Sequence, residues 1–247
     1  MCLLTMWCIN SKKLSNFKKK LFVIGLTIIA VLCKEQGIMI IPVIIALDYL
    51  KTFDLMSAIK DCLLYGPFLG MISFFRLWFI NFKAPTFQEG DNPNAFIQSP
   101  LFRLLSYNYV YALNGYLLVL PDSLCYDWAM SSISPIRNLL DTKILAIMCL
   151  WVTILRMVQL RKRRLISVSM VLLVIPFLPA SNMLVHVGFV IAERILYLST
   201  LGYGLLLAYC MKKFKSRMKN AMITFTIIMF GLKSIHRGKY LICISSR

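Results

Sequence analysis

Hydrophobic positions along this chain come in unequal blocks separated by basic or turn-rich stretches. Residues 21–33 and 37–50 are apolar, and each is too short to cross about 30 Å of hydrocarbon, which takes about 20 helical residues. Between them stands Lys34-Glu35-Gln36-Gly37, whose two charges cost roughly 2.5–3.5 kcal/mol apiece at a bilayer centre. Two readings are open: one long kinked helix with the charges in a protein-lined cavity, or two short tilted helices with the charges at the far membrane face. After the mixed-charge stretch 51–61, residues 62–80 predict a full-length span kinked at Gly66-Pro67. Residues 81–99, with Pro85, Gly90 and Pro93, predict a loop. At 101–120 the pattern turns amphipathic and aromatic, with Tyr107, Tyr109, Tyr111 and Tyr116 among Leu and Val. That fits an interfacial or re-entrant helix better than a deep span. Residues 121–141 are again polar and turn-rich. Further spans are predicted at 143–158, at 165–178 with a stop at Pro176 and Pro179, and at 188–211 with Glu193 and Arg194 near its start. Residues 221–232 make a marginal span, and 233–247 reads as a basic, featureless tail.

Composition turns these blocks into a multi-pass membrane protein. With 59% hydrophobic residues, 15% charged and a mean hydropathy of +0.74, the chain has more apolar surface than a soluble core of 247 residues needs. The formal charge of +18 does not point to nucleic acid. Half of the 28 Lys and Arg stand in three clusters, at 12–20, 161–164 and 212–219, and each abuts an apolar block as cytoplasmic loops do. On the two-short-helix reading, that rule puts the 34–37 break and residues 81–141 and 179–188 on the opposite side. Seven of the ten acids lie on or near it, leaving Asp48, Asp54 and Asp61 behind. Eight cysteines show no C-x-x-C spacing, and His186 and His236 have no carboxylate at metal-ligand spacing, so no metal site or disulfide framework is expected. A basic stretch before residue 21 resembles a signal peptide, but a small-residue cleavage site is missing, and residues 1–9 read as the stub of an earlier helix.

Candidate chemistry is confined to a few polar residues in apolar settings. Glu193 and Arg194 point about 100° apart on a helix, so each can face a different partner: either an ion pair that fixes packing, or a guanidinium fork for a phosphate. Lys34 and Glu35 divide in the same way, between a cap at a helix break and the lining of an active site. Asp127-Trp128 reads as a solvated acid beside an interfacial Trp, or as part of a site. Asn108 and Asn114 are the polar exceptions in an aromatic belt and are suited to hydrogen-bonding a sugar. P-loop, G-x-S-x-G and H-E-x-x-H motifs are absent, as is any repeat of 30–45 residues.

The stretches "LCKEQGIMII", "DNPNAF", "SYNYVYALNGY", "CYDWAM", "PASNMLVHVGFVIAERILYLS" and "LKSIHR" resemble, in order, the membrane region of the transmembrane and tetratricopeptide-repeat (TMTC) proteins, which are O-mannosyltransferases. The resemblance runs from about residue 17 to 237. It implies an all-α polytopic membrane protein, a GT-C-like helical bundle of the endoplasmic reticulum. The implied organisation has a partial N-terminal stub and basic cytoplasmic segment at 1–20, transmembrane helices at 21–80 and 143–232, a luminal loop with an amphipathic helix at 81–142, and a basic tail at 233–247 where the family continues into repeats. The implied reaction takes mannose from dolichyl-phosphate-mannose, with no cofactor, to Ser or Thr of luminal acceptors such as cadherin-type domains. Arg194 and Lys34 become candidates for the donor phosphate, and Glu35, Gln36, Glu193, Asn108, Asn114 and Asp127 for the sugar or acceptor side. The family's expected catalytic base, in its first luminal loop, falls upstream of this sequence. The rival readings are a transporter or channel, whose broken helices carry midplane charges, and a non-catalytic membrane scaffold.

Overall fold

The computed structural model describes residues 2–10, 15–82, 87–120, 128, 132–183, 187–212 and 214–245, without the side chains of Cys2, Asn10 and 236–245. Its regular structure is helical, and among the described residues the β-type pairing is a single bridge between Trp128 and Ile191.

The first three long helices settle the reading of the 34–37 break. α1 (Cys2–Asn10) packs on α2 (Asn16–Cys33), which ends where Lys34 turns extended at φ −159° and ψ 135°. A 3-10 turn, Glu35–Met39, then reverses the chain into α3 (Ile40–Thr52). The turn lies directly on the preceding helix, since a Cβ on Gly37 would come within 2.6 Å of the Ala30 carbonyl carbon. α3 runs back along α2, so Ile40, Ile41 and Ile44 share a buried cluster with Val23 and Ala30. The two-short-helix alternative is therefore the one the chain adopts.

α4 (Leu55–Phe79) returns parallel to α2, capped at its start by Asp54, whose carboxylate accepts from the Met56 amide at 2.9 Å. Lys20 pairs with Asp61 at 3.0 Å near one end of the bundle, and Glu35 pairs with Arg76 near the other. Asp61 and Arg76 stand fifteen positions apart on α4, about 22 Å of helical rise, and their partners are Lys20 near the start of α2 and Glu35 in the turn just past its end, so the pairs are two rungs between parallel helices. α4 begins at Leu55, inside the mixed-charge stretch, because the Asp54 cap starts it before the apolar block does. Pro67 sits within it without ending it.

α5 (Pro100–Val119) packs on α6 (Lys143–Gln159). Asn108 and Gly115, seven positions apart on α5, meet the adjacent Trp151 and Leu150 of α6. α7 (Arg164–Val174) tightens into a 3-10 segment, Ile175–Ala180, at the two prolines. α8 (Ser199–Met211) lies against α7 with no side chain between them at Gly202, where a Cβ would meet the Leu173 nitrogen and Ser169 oxygen at 2.7 Å. Small residues allow apolar helices this approach, and the Ser199 hydroxyl adds a bond to the Leu173 carbonyl at 2.9 Å. α9 (Ser216–Ser245) closes the order.

Two expectations need correction. The predicted span at 188–211 is helical only from Ser199, because the Trp128–Ile191 bridge holds the chain extended before it and Glu193–Ile195 forms a separate 3-10 turn. The featureless tail at 233–247 is helical through Ser245, as a continuation of α9. Among the described residues one helix, α4, is long and apolar enough to cross a membrane by itself. Arg164–Ala180 and Ser199–Met211 are shorter apolar helices. α4 buries almost none of its apolar window and exposes Leu63, Phe75, Trp78 and Phe79, the surface expected of a helix that faces hydrocarbon.

Candidate functional site

The bundle has two chemically distinct ends. One gathers Lys18, Lys19, Lys20, Lys51 and Arg164. The other gathers the Glu35–Met39, Ile175–Ala180 and Glu193–Ile195 turns, with the Ile175–Ala180 segment touching both of its neighbours. The second end holds every described candidate from the 34–36 break and from 193–194.

Lys34 is exposed at the end of α2, and its amide closes the helix onto the Ala30 carbonyl at 2.9 Å. Glu35 opens the following turn, and its exposed carboxylate accepts from the Arg76 guanidinium of α4. Gln36 is half-buried beside it. Sequence reasoning missed Arg76, which reads as one charge inside an apolar run, 41 positions from its partner. Between α3 and α4 an open groove of about 350 Å³ runs from Ile41 and Leu69, seven positions short of Arg76, past Ile45 to Tyr49, Leu55 and Ala58 toward the basic end.

Beside it, the loop 87–99 is tied to the 181–187 segment by asparagines. The buried Asn92 amide donates to the Asn182 side-chain oxygen at 3.0 Å and to the Val187 carbonyl at 2.9 Å. Asn182 holds φ at +57°, a left-handed conformation that asparagine tolerates better than most residues, and its Oδ1 also accepts from the Val187 amide. The Tyr111 hydroxyl donates to the Ser181 carbonyl, and the Ser106 hydroxyl accepts from the Ile136 amide at 2.9 Å. Burial pushes the Tyr111 phenol above its ordinary range, an effect the bond to Ser181 partly opposes. Burial also raises Tyr107, against the pull of Arg103. Both phenols therefore stay protonated donors. Three buried atoms here, Asn92 Oδ1, Asn94 Oδ1 and the Tyr107 hydroxyl oxygen, have no hydrogen-bond partner among the described residues. Buried polar atoms are rarely left so, since each costs about 1–3 kcal/mol.

The remaining candidates divide by position. Asn108 donates to the Leu104 carbonyl at 2.8 Å and accepts from the Trp151 indole at 3.0 Å, which occupies it at the α5–α6 crossing. Asn114 is buried and donates to the Val110 carbonyl at 2.8 Å. Glu193 is half-buried and receives the Trp128 indole N–H at 3.5 Å, while Arg194 is exposed on the same short turn. Asp127 lies outside the described residues. No group of three His, Cys, Asp or Glu side chains that would suit a metal ion occurs among the described residues.

Chemically, the bundle combines cations, carboxylates and neutral donors at this end with an apolar groove between α3 and α4. Such a combination suits a molecule with a hydrocarbon tail, an anionic link and a polar head.

The family pattern described as "Protein O-mannosyl-transferase TMTC, DUF1736" matches residues 81–155, which contain the asparagine-bearing loop, α5 and most of α6. The chain is 36% identical over 216 residues to "Protein O-mannosyl-transferase F38B6.6" of Caenorhabditis elegans, covering 86% of this chain and 31% of that protein. It is 36% identical over 212 residues to "Protein O-mannosyl-transferase TMTC4" of Mus musculus, covering 73% and 29%. With "Protein O-mannosyl-transferase TMTC1" of Mus musculus the identity is 38% over 162 residues, covering 63% and 17%. The chain thus spans less than a third of the length of these curated relatives. No solved structure matches it.

Proposed function

The chain belongs to the TMTC family of protein O-mannosyl-transferases, and from that premise we propose that it forms the polytopic, GT-C-like membrane part of such an enzyme in the endoplasmic reticulum. On this reading it handles dolichyl-phosphate-mannose, whose mannose passes to Ser or Thr of luminal acceptor proteins such as cadherin-type domains. The observation that carries the proposal is the occurrence on one bundle of the Glu35–Arg76 pair at the polar end and an apolar groove between α3 and α4.

Each part of the donor then has a match in this chain. The polyprenyl tail lies in the groove among Ile41, Ile45 and Leu69, where hydrocarbon replaces lipid. The phosphate sits at the polar end, where Arg76 adds a planar guanidinium to the Lys34 and Arg194 candidates. In the transfer the acceptor oxygen bonds to the mannosyl anomeric carbon, the bond from that carbon to the phosphate oxygen breaks, and the electron pair leaves with the dolichyl phosphate. Cations stabilise that leaving charge, so the step needs no acid on the phosphate. The hydroxyl proton passes to a carboxylate base. The family resemblance puts that base upstream of this sequence, and Glu35, Gln36, Glu193, Asn108, Asn114 and Asp127 are kept as sugar- or acceptor-side candidates.

The test is an assay of membranes expressing the chain for mannose transfer from radiolabelled dolichyl-phosphate-mannose to a cadherin-type acceptor, beside a full-length relative. Transfer that falls on Arg76→Gln supports the reading. Transfer by the relative with none by this chain rejects activity of the chain alone.

A further inference from the structure

The opposite, basic end carries a second pocket that the transfer reaction does not use. It is a cavity of about 150 Å³ where α1, α3 and α7 meet, walled by Met6, Ile9, Ile44, Leu47 and Val168. Asp48, Lys51 and Arg164 stand in the same lining. Lys51 and Asp48 neutralise each other at 2.7 Å. No acid pairs with Arg164 among the described residues, so the pocket keeps one positive charge beside hydrocarbon walls.

We propose that this pocket is a binding site for an anionic phospholipid, with the lipid phosphate on Arg164 and the start of one acyl chain along Ile9, Ile44 and Val168. The volume holds part of one chain and is too small for a folded peptide. The apolar walls give free phosphate nothing to bury, whereas a phospholipid satisfies both the charge and the walls. The guanidinium fork matches two phosphate oxygens, and Lys18 and Lys19 at the same end of the bundle raise the local anion concentration. A zwitterionic headgroup carries its own cation and gains less from Arg164. The site rests on the membrane reading of the chain but on no step of mannose transfer, so failure of the transfer assay leaves it standing.

The experiment is native mass spectrometry of the full chain in detergent, titrated with dioctanoyl phosphatidylserine, dioctanoyl phosphatidylcholine or inorganic phosphate. The serine lipid is expected to remain bound at one per chain and to outcompete the choline lipid. Arg164→Gln is expected to weaken retention about fivefold, the worth of one basic residue near a headgroup, with Arg164→Lys in between. Lys219→Gln, on α9 and outside the pocket lining, removes the same charge and is expected to change little. Val168→Trp, which fills the cavity, is expected to reduce retention with the charge intact. Equal retention of the two lipids, equal loss in Arg164→Gln and Lys219→Gln, or full displacement of the lipid by inorganic phosphate would each overturn the site.

Discussion

Arg76 and Glu35 illustrate how a pair can matter to binding while adding little to folding. Both side chains are substantially exposed, at 44% and 71%, and exposed ion pairs contribute between nothing and about 1 kcal/mol. Arg76→Gln is therefore expected to leave the unfolding temperature in detergent nearly unchanged while donor affinity falls about tenfold, the loss of one charge-assisted hydrogen bond. Isothermal binding of dolichyl-phosphate-mannose, read beside thermal unfolding, separates the two effects. A matching drop in both would make Arg76 a structural residue only. Gly37 is the converse case. A methyl there meets the Ala30 carbon at 2.6 Å and the Val31 nitrogen at 2.8 Å, both backbone atoms that cannot rotate away. Gly37→Ala is expected to destabilise by about 1–3 kcal/mol, as overpacking does. Gly25→Ala, in open space within α2, is expected to be neutral or to stabilise by up to about 1 kcal/mol. Thermal unfolding of the two variants checks this, and equal effects would contradict the packing of the turn on α2.

Among the elements, α5 is held by polar contacts where a sequence of aromatics suggests only an apolar face. Asn108→Ala removes the acceptor for the Trp151 indole, and the N–H then left unpaired in a half-buried joint is expected to cost about 1–3 kcal/mol. Loss of the Trp151 fluorescence shift on unfolding at lower denaturant would report it. Unchanged stability would mean that the α5–α6 crossing does not depend on this bond. Helix extents were legible in the sequence wherever local physics sets them. The α5 block, the stop at Pro176 and Pro179 and the break after Cys33 all follow from apolar length and backbone restriction. What escaped was set by distant partners. Val190 and Ile191 are apolar and read as helix, yet Trp128 takes the Val190 amide and the Ile191 carbonyl and keeps them extended. Arg76 reads as an intrusion in a span until Glu35, on another helix, explains it. Asn92 and Asn182 read as loop asparagines, since nothing local says that they bond across 90 positions.

For the whole molecule, the two matched rungs fix the sense of the bundle. Lys20–Asp61 marks the basic end, and Glu35–Arg76 the end that carries the loop 87–99 and the family-matching region. A glycosylation sequon engineered near Gly90 is expected to be modified in the endoplasmic reticulum and one near Arg163 is not. A gel-mobility shift removed by endoglycosidase reads this out, and modification only at the second site would invert the orientation.

The most direct measurement uses a dolichyl-phosphate-mannose analogue with a photoreactive group in its polyprenyl chain, crosslinked to the full chain and mapped by peptide mass spectrometry. Labelling is expected within Ile40–Thr52 and Leu55–Phe79, competed by unmodified donor and weakened in Arg76→Gln. Labelling spread evenly over the exposed apolar helices, or indifferent to competitor and to Arg76, would contradict it.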